Sequence, residues 1–209
     1  MQTAMKKLFY LFGLLLLVNF VFVFYSKGET VERPTNPAVV DEGVVVSGIR
    51  WATRNVDAPG TFAANPEDFG RFYKWGERRG WEIAPAGWRY SMPTGTTWLR
   101  VNDPCPEGWR LPTEDELRAL RYTPYERHTR NGVVGIQFGT APNQLFLPAT
   151  GWLLEYDGRH VGSGVNGYYW SSFRTGSGFA RYLGFNRYSL NVSRTNRGYG
   201  FSIRCVADE

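Results

Sequence analysis

Eighteen consecutive residues without a charge, Leu8 to Tyr25, follow Lys6 and Lys7 at the amino terminus. Such a run is too apolar to form one face of a soluble helix, since only Asn19 interrupts it. It reads as a signal peptide or a signal anchor, with the lysines holding the start inside. Residues 1–28 are therefore set apart from the fold, and whatever follows is placed outside the cytoplasm. The run exceeds an ordinary signal core and the nearby small-residue site is Ser26-Lys27-Gly28, so an anchor through residues 8–25 and a cleaved peptide both remain open. Residues 29–43 (ETVERPTNPAVVDEG) are charged and proline-bearing, as expected of an extended linker. One domain, residues 44–209, is left.

Export gives the cysteines a meaning. The chain has two, Cys105 and Cys205, and an even pair in an oxidising compartment reads as a disulfide. A catalytic or metal-binding thiol pair is the alternative, but the flanking residues supply no neighbouring ligand or general base. The net charge of +5 includes Lys6 and Lys7. The remaining basic residues are scattered in ones and twos, without the dense stripe that nucleic-acid binding requires.

The domain is rich in aromatic residues and glycine, which favours short strands and structured loops. Val44 to Trp51 reads as an opening strand pair. Asn65-Pro66-Glu67-Asp68 has the form of a helix start, and Phe69, Phe72 and Tyr73 follow at i, i+3 and i+4, which predicts a first short helix. Residues 76–104 read as a long structured loop carrying Trp81, Trp88 and Trp98, whose rings either pin it to the core or, where exposed, stack on a sugar or a partner. Thr113 and Glu116 form a capping box that predicts a second helix, with Leu117 and Leu120 on its inner face. Short strands follow: Gly135–Phe138, Gln144–Pro148, Gly167–Ser171, Ala180–Asn186, Ser189–Ser193 and Gly200–Val206. The expectation is an α+β domain, two short helices on an antiparallel sheet with long structured loops, preceded by one amino-terminal hydrophobic helix.

Six phrases carry a resemblance: Gly48-Ile49-Arg50-Trp51 with Asn55-Val56, Tyr73-Lys74-Trp75-Gly76-Glu77, Cys105-Pro106-Glu107-Gly108-Trp109-Arg110-Leu111-Pro112-Thr113, Phe146-Leu147-Pro148-Ala149-Thr150-Gly151, Tyr169-Trp170-Ser171-Ser172, and Gly200-Phe201-Ser202-Ile203-Arg204-Cys205-Val206. Together they resemble the FISUMP (major paralogous domain) family of bacterial exported proteins, over residues 44–206. The Arg-Leu-Pro-Thr-Glu and Gly-Phe-x-x-Arg-Cys phrases are also similar to those of the C-type-lectin-like and formylglycine-generating-enzyme-like superfamily. The resemblance implies that fold and a bacterial envelope location, membrane-anchored or secreted. Domains of this type also occur as variable proteins of diversity-generating retroelements, in which one carboxyl-terminal surface is diversified.

In the corresponding segment, Leu183, Phe185, Leu190 and Val192 alternate and are expected inward. Tyr182, Gly184, Asn186, Ser189, Asn191 and Ser193 are then expected outward. With Arg181, Arg187, Tyr188, Arg194, Thr195, Asn196, Arg197 and Tyr199 they make a candidate ligand-binding set, rich in the residue types of adaptable binding surfaces. Tyr182, Tyr188 and Tyr199 are the expected aromatic anchors.

No catalytic residue, metal ligand or cofactor site is read from the sequence. His128 and His160 lack partners at ligand spacing, Glu155 and Asp157 read as turn residues, and no phosphate loop or nucleophile elbow is present. The sequence thus reads as a non-enzymatic, adhesin-like binding module for a protein or glycan at a cell surface. The alternatives are a structural component of fimbrial or envelope assembly and a degenerate formylglycine-generating-type enzyme.

Overall fold

The computed structural model describes residues 40–89 and 97–208. The expected amino-terminal helix lies outside them, and no helix among the described residues is long and apolar enough to cross a membrane. In chain order the elements are β1 (Val44–Val46), β2 (Ile49–Trp51), β3 (Phe72–Lys74), β4 (Gly80–Trp81) and β5 (Trp109–Arg110), then a helix α1 (Glu114–Tyr122). There follow β6 (Tyr125–Arg130), β7 (Val133–Thr140), β8 (Asn143–Pro148), β9 (Trp152–Leu153), β10 (His160–Val161) and β11 (Gly167–Thr175). The last four are β12 (Phe179–Phe185), β13 (Leu190–Asn196), β14 (Gly200–Phe201) and β15 (Val206–Ala207).

These strands form four antiparallel sheets, ordered β1-β2-β15-β5, β10-β9-β14-β3-β4, β11-β12-β13 and β6-β7-β8. The α+β arrangement with two short helices expected from the sequence is corrected: strands dominate, and α1 is the one α-helix among the described residues. The expected first helix fails after a single turn. The Asp68 carboxylate turns back to accept from the Asn65 backbone N–H at 2.8 Å and from its side-chain amide at 3.1 Å. Gly70 then takes φ +63°, and a Cβ there would lie 2.2 Å from the Val56 carbonyl oxygen. The chain is thereby turned into β3, whose Phe72 and Tyr73 pair with β4 and β14. Their helical spacing was coincidental; close approach of the backbone to Val56 decided the conformation.

Helix α1 does form where the capping box lies. Thr113 accepts from the Glu116 N–H, and the Glu116 carboxylate accepts from the Thr113 N–H at 2.7 Å. Leu117 and Leu120 are buried with Leu183, Phe185, Leu190 and Tyr169, so the helix covers one face of the β11–β13 sheet. Burial of those two leucines stabilises this packing by about 2 kcal/mol each.

The carboxyl-terminal segment threads the centre of the molecule. β14 lies inside the five-stranded sheet and β15 inside the four-stranded one. Between them Ser202 bridges to Tyr169, Arg204 is buried, and Cys205 is disulfide-bonded to Cys105 with Cα atoms 6.1 Å apart. Arg204 Nε donates to Asn55 Oδ1 at 2.9 Å and Nη1 to the Ala52 carbonyl at 3.2 Å. Asn55 passes the contact on, donating to the Phe69 carbonyl at 3.0 Å. Burial pulls the guanidinium down to about 10. Two indoles lock the neighbouring segments reciprocally: Trp75 Nε1 donates to the Ser171 carbonyl at 2.8 Å, and Trp170 Nε1 to that of Tyr73 at 2.7 Å.

At the other end of the domain, Asp41 falls in the segment read as linker yet belongs to this unit. Its carboxylate accepts from the N–H groups of Gly43, Thr53 and Arg54 at 2.8 to 3.0 Å. Trp88 and Trp98 are buried, and each donates its indole N–H to a backbone carbonyl, of Leu154 and Asn102 respectively.

Three outcomes are expected. Reduction of the disulfide, which closes a 100-residue separation, lowers unfolding free energy in urea by roughly 4 to 5 kcal/mol. Asn55→Ala, which strips a buried guanidinium of its acceptor, costs roughly 3 kcal/mol in the same assay. Tyr169 is fully buried, donates to the Pro148 carbonyl at 2.7 Å, and burial pushes its phenol up to about 12. A phenol raised in the folded state stabilises fully below its unfolded value near 10 and loses that contribution as pH climbs towards 12. The stability advantage of the parent over Tyr169→Phe should therefore shrink between about pH 10 and 12, read by urea titrations at several pH values.

Candidate binding groove

Antiparallel pairing decides which candidate residues share a face. In β12 and β13, Tyr182 pairs with Ser193, Leu183 with Val192, Gly184 with Asn191 and Phe185 with Leu190. Leu183, Phe185 and Leu190 are buried under α1 and Val192 packs against them. The opposite face carries Tyr182, Gly184, Asn191, Ser193 and Thr195, joined from β11 by Tyr168, which pairs with Gly184.

This opposite face is covered at one end and open at the other. Trp170 and Ala180 are buried there against Trp75, Phe201 and Ile203. Beyond them lie two adjoining depressions that share Tyr168 and Tyr182. The first, about 250 Å³, is lined also by Gly184, Asn186, Ser189, Asn191 and Ser193. The second, about 160 Å³, is completed by Trp152, Thr195, Tyr199 and Phe201. A polar trough thus runs into an aromatic recess.

Each wall has a structural reason. Trp152 stands on β9 across Gly162, where a Cβ would meet the indole at 2.4 Å, and it meets Tyr168 edge-on at 4.9 Å. Phe201 forms the floor, stacked on Trp170 at 4.2 Å and on Tyr168 at 5.0 Å. Tyr199 stacks on Phe201 at 5.9 Å. At the far end Asn186 Oδ1 accepts from the N–H groups of Tyr188 and Ser189 at 2.8 and 3.0 Å, closing the β12–β13 turn. Burial raises the phenols of Tyr168 and Tyr199, the latter also through the nearby Glu155 carboxylate. Both rings stay neutral at physiological pH.

The structure separates the arginines of the candidate set from this groove. Arg181 lies on the α1 side of the sheet, with Nε 3.1 Å from the Glu114 carboxylate. Arg194 is its cross-strand partner on that same side, exposed over the Phe179 ring. Arg197 is buried, donates to the Ser177 carbonyl at 3.0 Å and lies over Trp75. Asn196 Oδ1 accepts from the Gly198 N–H and shapes the turn into Tyr199. Arg187 and Tyr188 project together from the hairpin tip, with the guanidinium over the ring. Tyr188 is exposed there and lines neither depression.

Sequence reading missed Tyr168, Trp152 and Phe201. Strand alternation could have found Tyr168, which shares a face with Trp170. Nothing local marks Trp152 or Phe201, which arrive on strands of another sheet.

Among the described residues, no group of three or more His, Cys, Asp or Glu side chains is placed to hold a metal ion. His160 meets the Thr150 carbonyl at 2.6 Å and His128 packs edge-on to Phe146. The Asp157 carboxylate accepts from the Arg159 N–H at 3.0 Å and caps a turn.

The chain gives no significant match to a family model, to a curated protein or to a solved structure. Function is therefore argued from the groove and from the sequence motifs alone.

Gly184 provides a structural test of the groove. A Cβ there would lie 2.7 Å from Tyr182 Cε2 and 3.3 Å from Tyr168 Cε1, so the rings must swing into the depressions. Gly184→Ala should alter the near-ultraviolet circular dichroism while changing stability by no more than about 1 kcal/mol.

Proposed function

We propose that this protein is an exported, envelope-associated binding module that engages a surface ligand in the groove between Tyr168, Tyr182 and Asn191. The observation that carries the reading is the junction of a polar trough with an aromatic recess on one half-open sheet face. Aromatic side chains supply rigid contact area at low entropic cost, and Asn and Ser adjust their hydrogen bonds to the partner. A groove held on strands is pre-organised, which lowers the ordering cost of binding. Export is supported by the amino-terminal apolar run and by an oxidised cysteine pair, and the envelope location by the resemblance to the FISUMP family.

The site differs from the set read off the sequence in one consequential way. Among the described residues no lysine or arginine lines either depression, so recognition falls to rings, amides and hydroxyls. Arg187 and Tyr188 at the hairpin tip are placed to extend the contact with a large partner.

A screen of the full chain against immobilised surface glycans and proteins provides the ligand. Tyr182→Ala and Asn191→Ala should then each weaken binding about tenfold or more, whereas Arg194→Ala, on the opposite face, should leave it unchanged. Equal effects of all three would remove the groove from consideration.

A further inference from the structure

We propose, building on the groove reading, that the aromatic recess receives a methylated ammonium group. Of the six described residues that line it, five are aromatic: Trp152, Tyr168, Tyr182, Tyr199 and Phe201, with Thr195 the exception. Their planes differ, since Trp152 stands 75° from Tyr168, Tyr182 lies 50° from Tyr168, and Tyr199 is nearly parallel to Phe201 at 17°. The recess is thus bounded by rings of several orientations, the setting in which ring quadrupoles attract a cation from more than one side. Its volume, about 160 Å³, equals the space of about five waters and suits one trimethylammonium-sized group.

Charge points the same way. Among the described residues none that lines the recess is cationic. Glu155, on the turn after β9, is 5% exposed, and its Oε2 is buried without a hydrogen-bond partner among the described residues. Its carboxylate raises the phenol of Tyr199, which lines the recess, while Glu155 itself lines neither depression. A buried carboxylate oxygen with no donor is costly, and a bound cation offsets that cost without needing an N–H. Methylated ammonium also loses less hydration on entry than a primary ammonium, which would surrender donors to rings that offer few acceptors. An anion is disfavoured by the same carboxylate. The neighbouring trough of Gly184, Asn186, Ser189, Asn191 and Ser193 would take the polar body attached to the ammonium group.

Calorimetric titration of the full chain with choline, tetramethylammonium and the neutral tert-butyl isostere of choline tests this. Saturable binding of both cations is expected, with the isostere at least about tenfold weaker. The methyl protons of bound choline should move upfield in NMR spectra through the ring currents. Glu155→Gln and Tyr199→Leu should each weaken choline about fivefold or more, with unchanged urea midpoints showing that the fold is intact, and Arg194→Ala should have no effect. Comparing phosphocholine with trimethyl-lysine distinguishes a headgroup source from a protein side-chain source.

Equal affinity for choline and its isostere, absence of choline binding, or choline binding indifferent to both variants overturns the proposal. If choline fails while a screened ligand still depends on Tyr182 and Asn191, the groove reading stands and the cation reading alone falls.

Discussion

The buried guanidinium of Arg204 organises this domain. Arg204 reaches across from the carboxyl-terminal segment to Asn55 and Ala52, and Asn55 in turn holds the Phe69 carbonyl. The carboxyl-terminal segment is thereby fixed against two earlier stretches around one charge. The Cys105–Cys205 bond lies one residue further on, so the covalent tie and the polar tie act on the same segment. A buried charge tolerates few arrangements of its neighbours, and the approach of β14 and β15 to their sheets follows from where Arg204 sits.

The groove is a consequence of that arrangement. Helix α1 occupies one face of the β11–β13 sheet, leaving the other for whatever the rest of the chain brings. The carboxyl-terminal segment and β3 bring Phe201, Trp75 and Tyr73, which cover Trp170 and Ala180 but stop short of Gly184. The uncovered remainder is the trough, and the boundary between covered and open is the aromatic recess. Groove and core are continuous here: Phe201 belongs to both. Rigidity in the recess therefore comes from the same packing that stabilises the fold.

The sequence motifs acquire physical meaning as partners of one another. The Tyr-Lys-Trp and Tyr-Trp-Ser phrases exchange indole hydrogen bonds, and the Asn55 and Arg204 phrases share the buried guanidinium contact. Alternation separated Leu183 and Leu190 from Gly184 and Asn191, because period two is a local property of a strand. It also places Arg181 with Leu183, on the α1 side. The candidate set included that arginine, and its cross-strand partner Arg194, because arginine suits a binding surface. Arg197 shows a different limit: an arginine can lie buried against Trp75 and a carbonyl as readily as in water, and nothing in its flanks distinguishes the two.

What the sequence determined by itself was whatever can be read along the chain: the capping box of α1, the strand alternation around the β12–β13 hairpin, and the expectation that the two cysteines pair. What only the tertiary structure decided was the fate of segments with balanced local preferences. Asn65 to Tyr73 carries helical signals, yet contact of the Gly70 backbone with Val56 and pairing with β14 make it a turn and a strand. Trp152 and Phe201 became walls of one recess because separate strands converge there. Local interactions span a few residues, whereas a recess is made by chain segments about 50 residues apart in sequence, whose meeting is set by burial of the whole core.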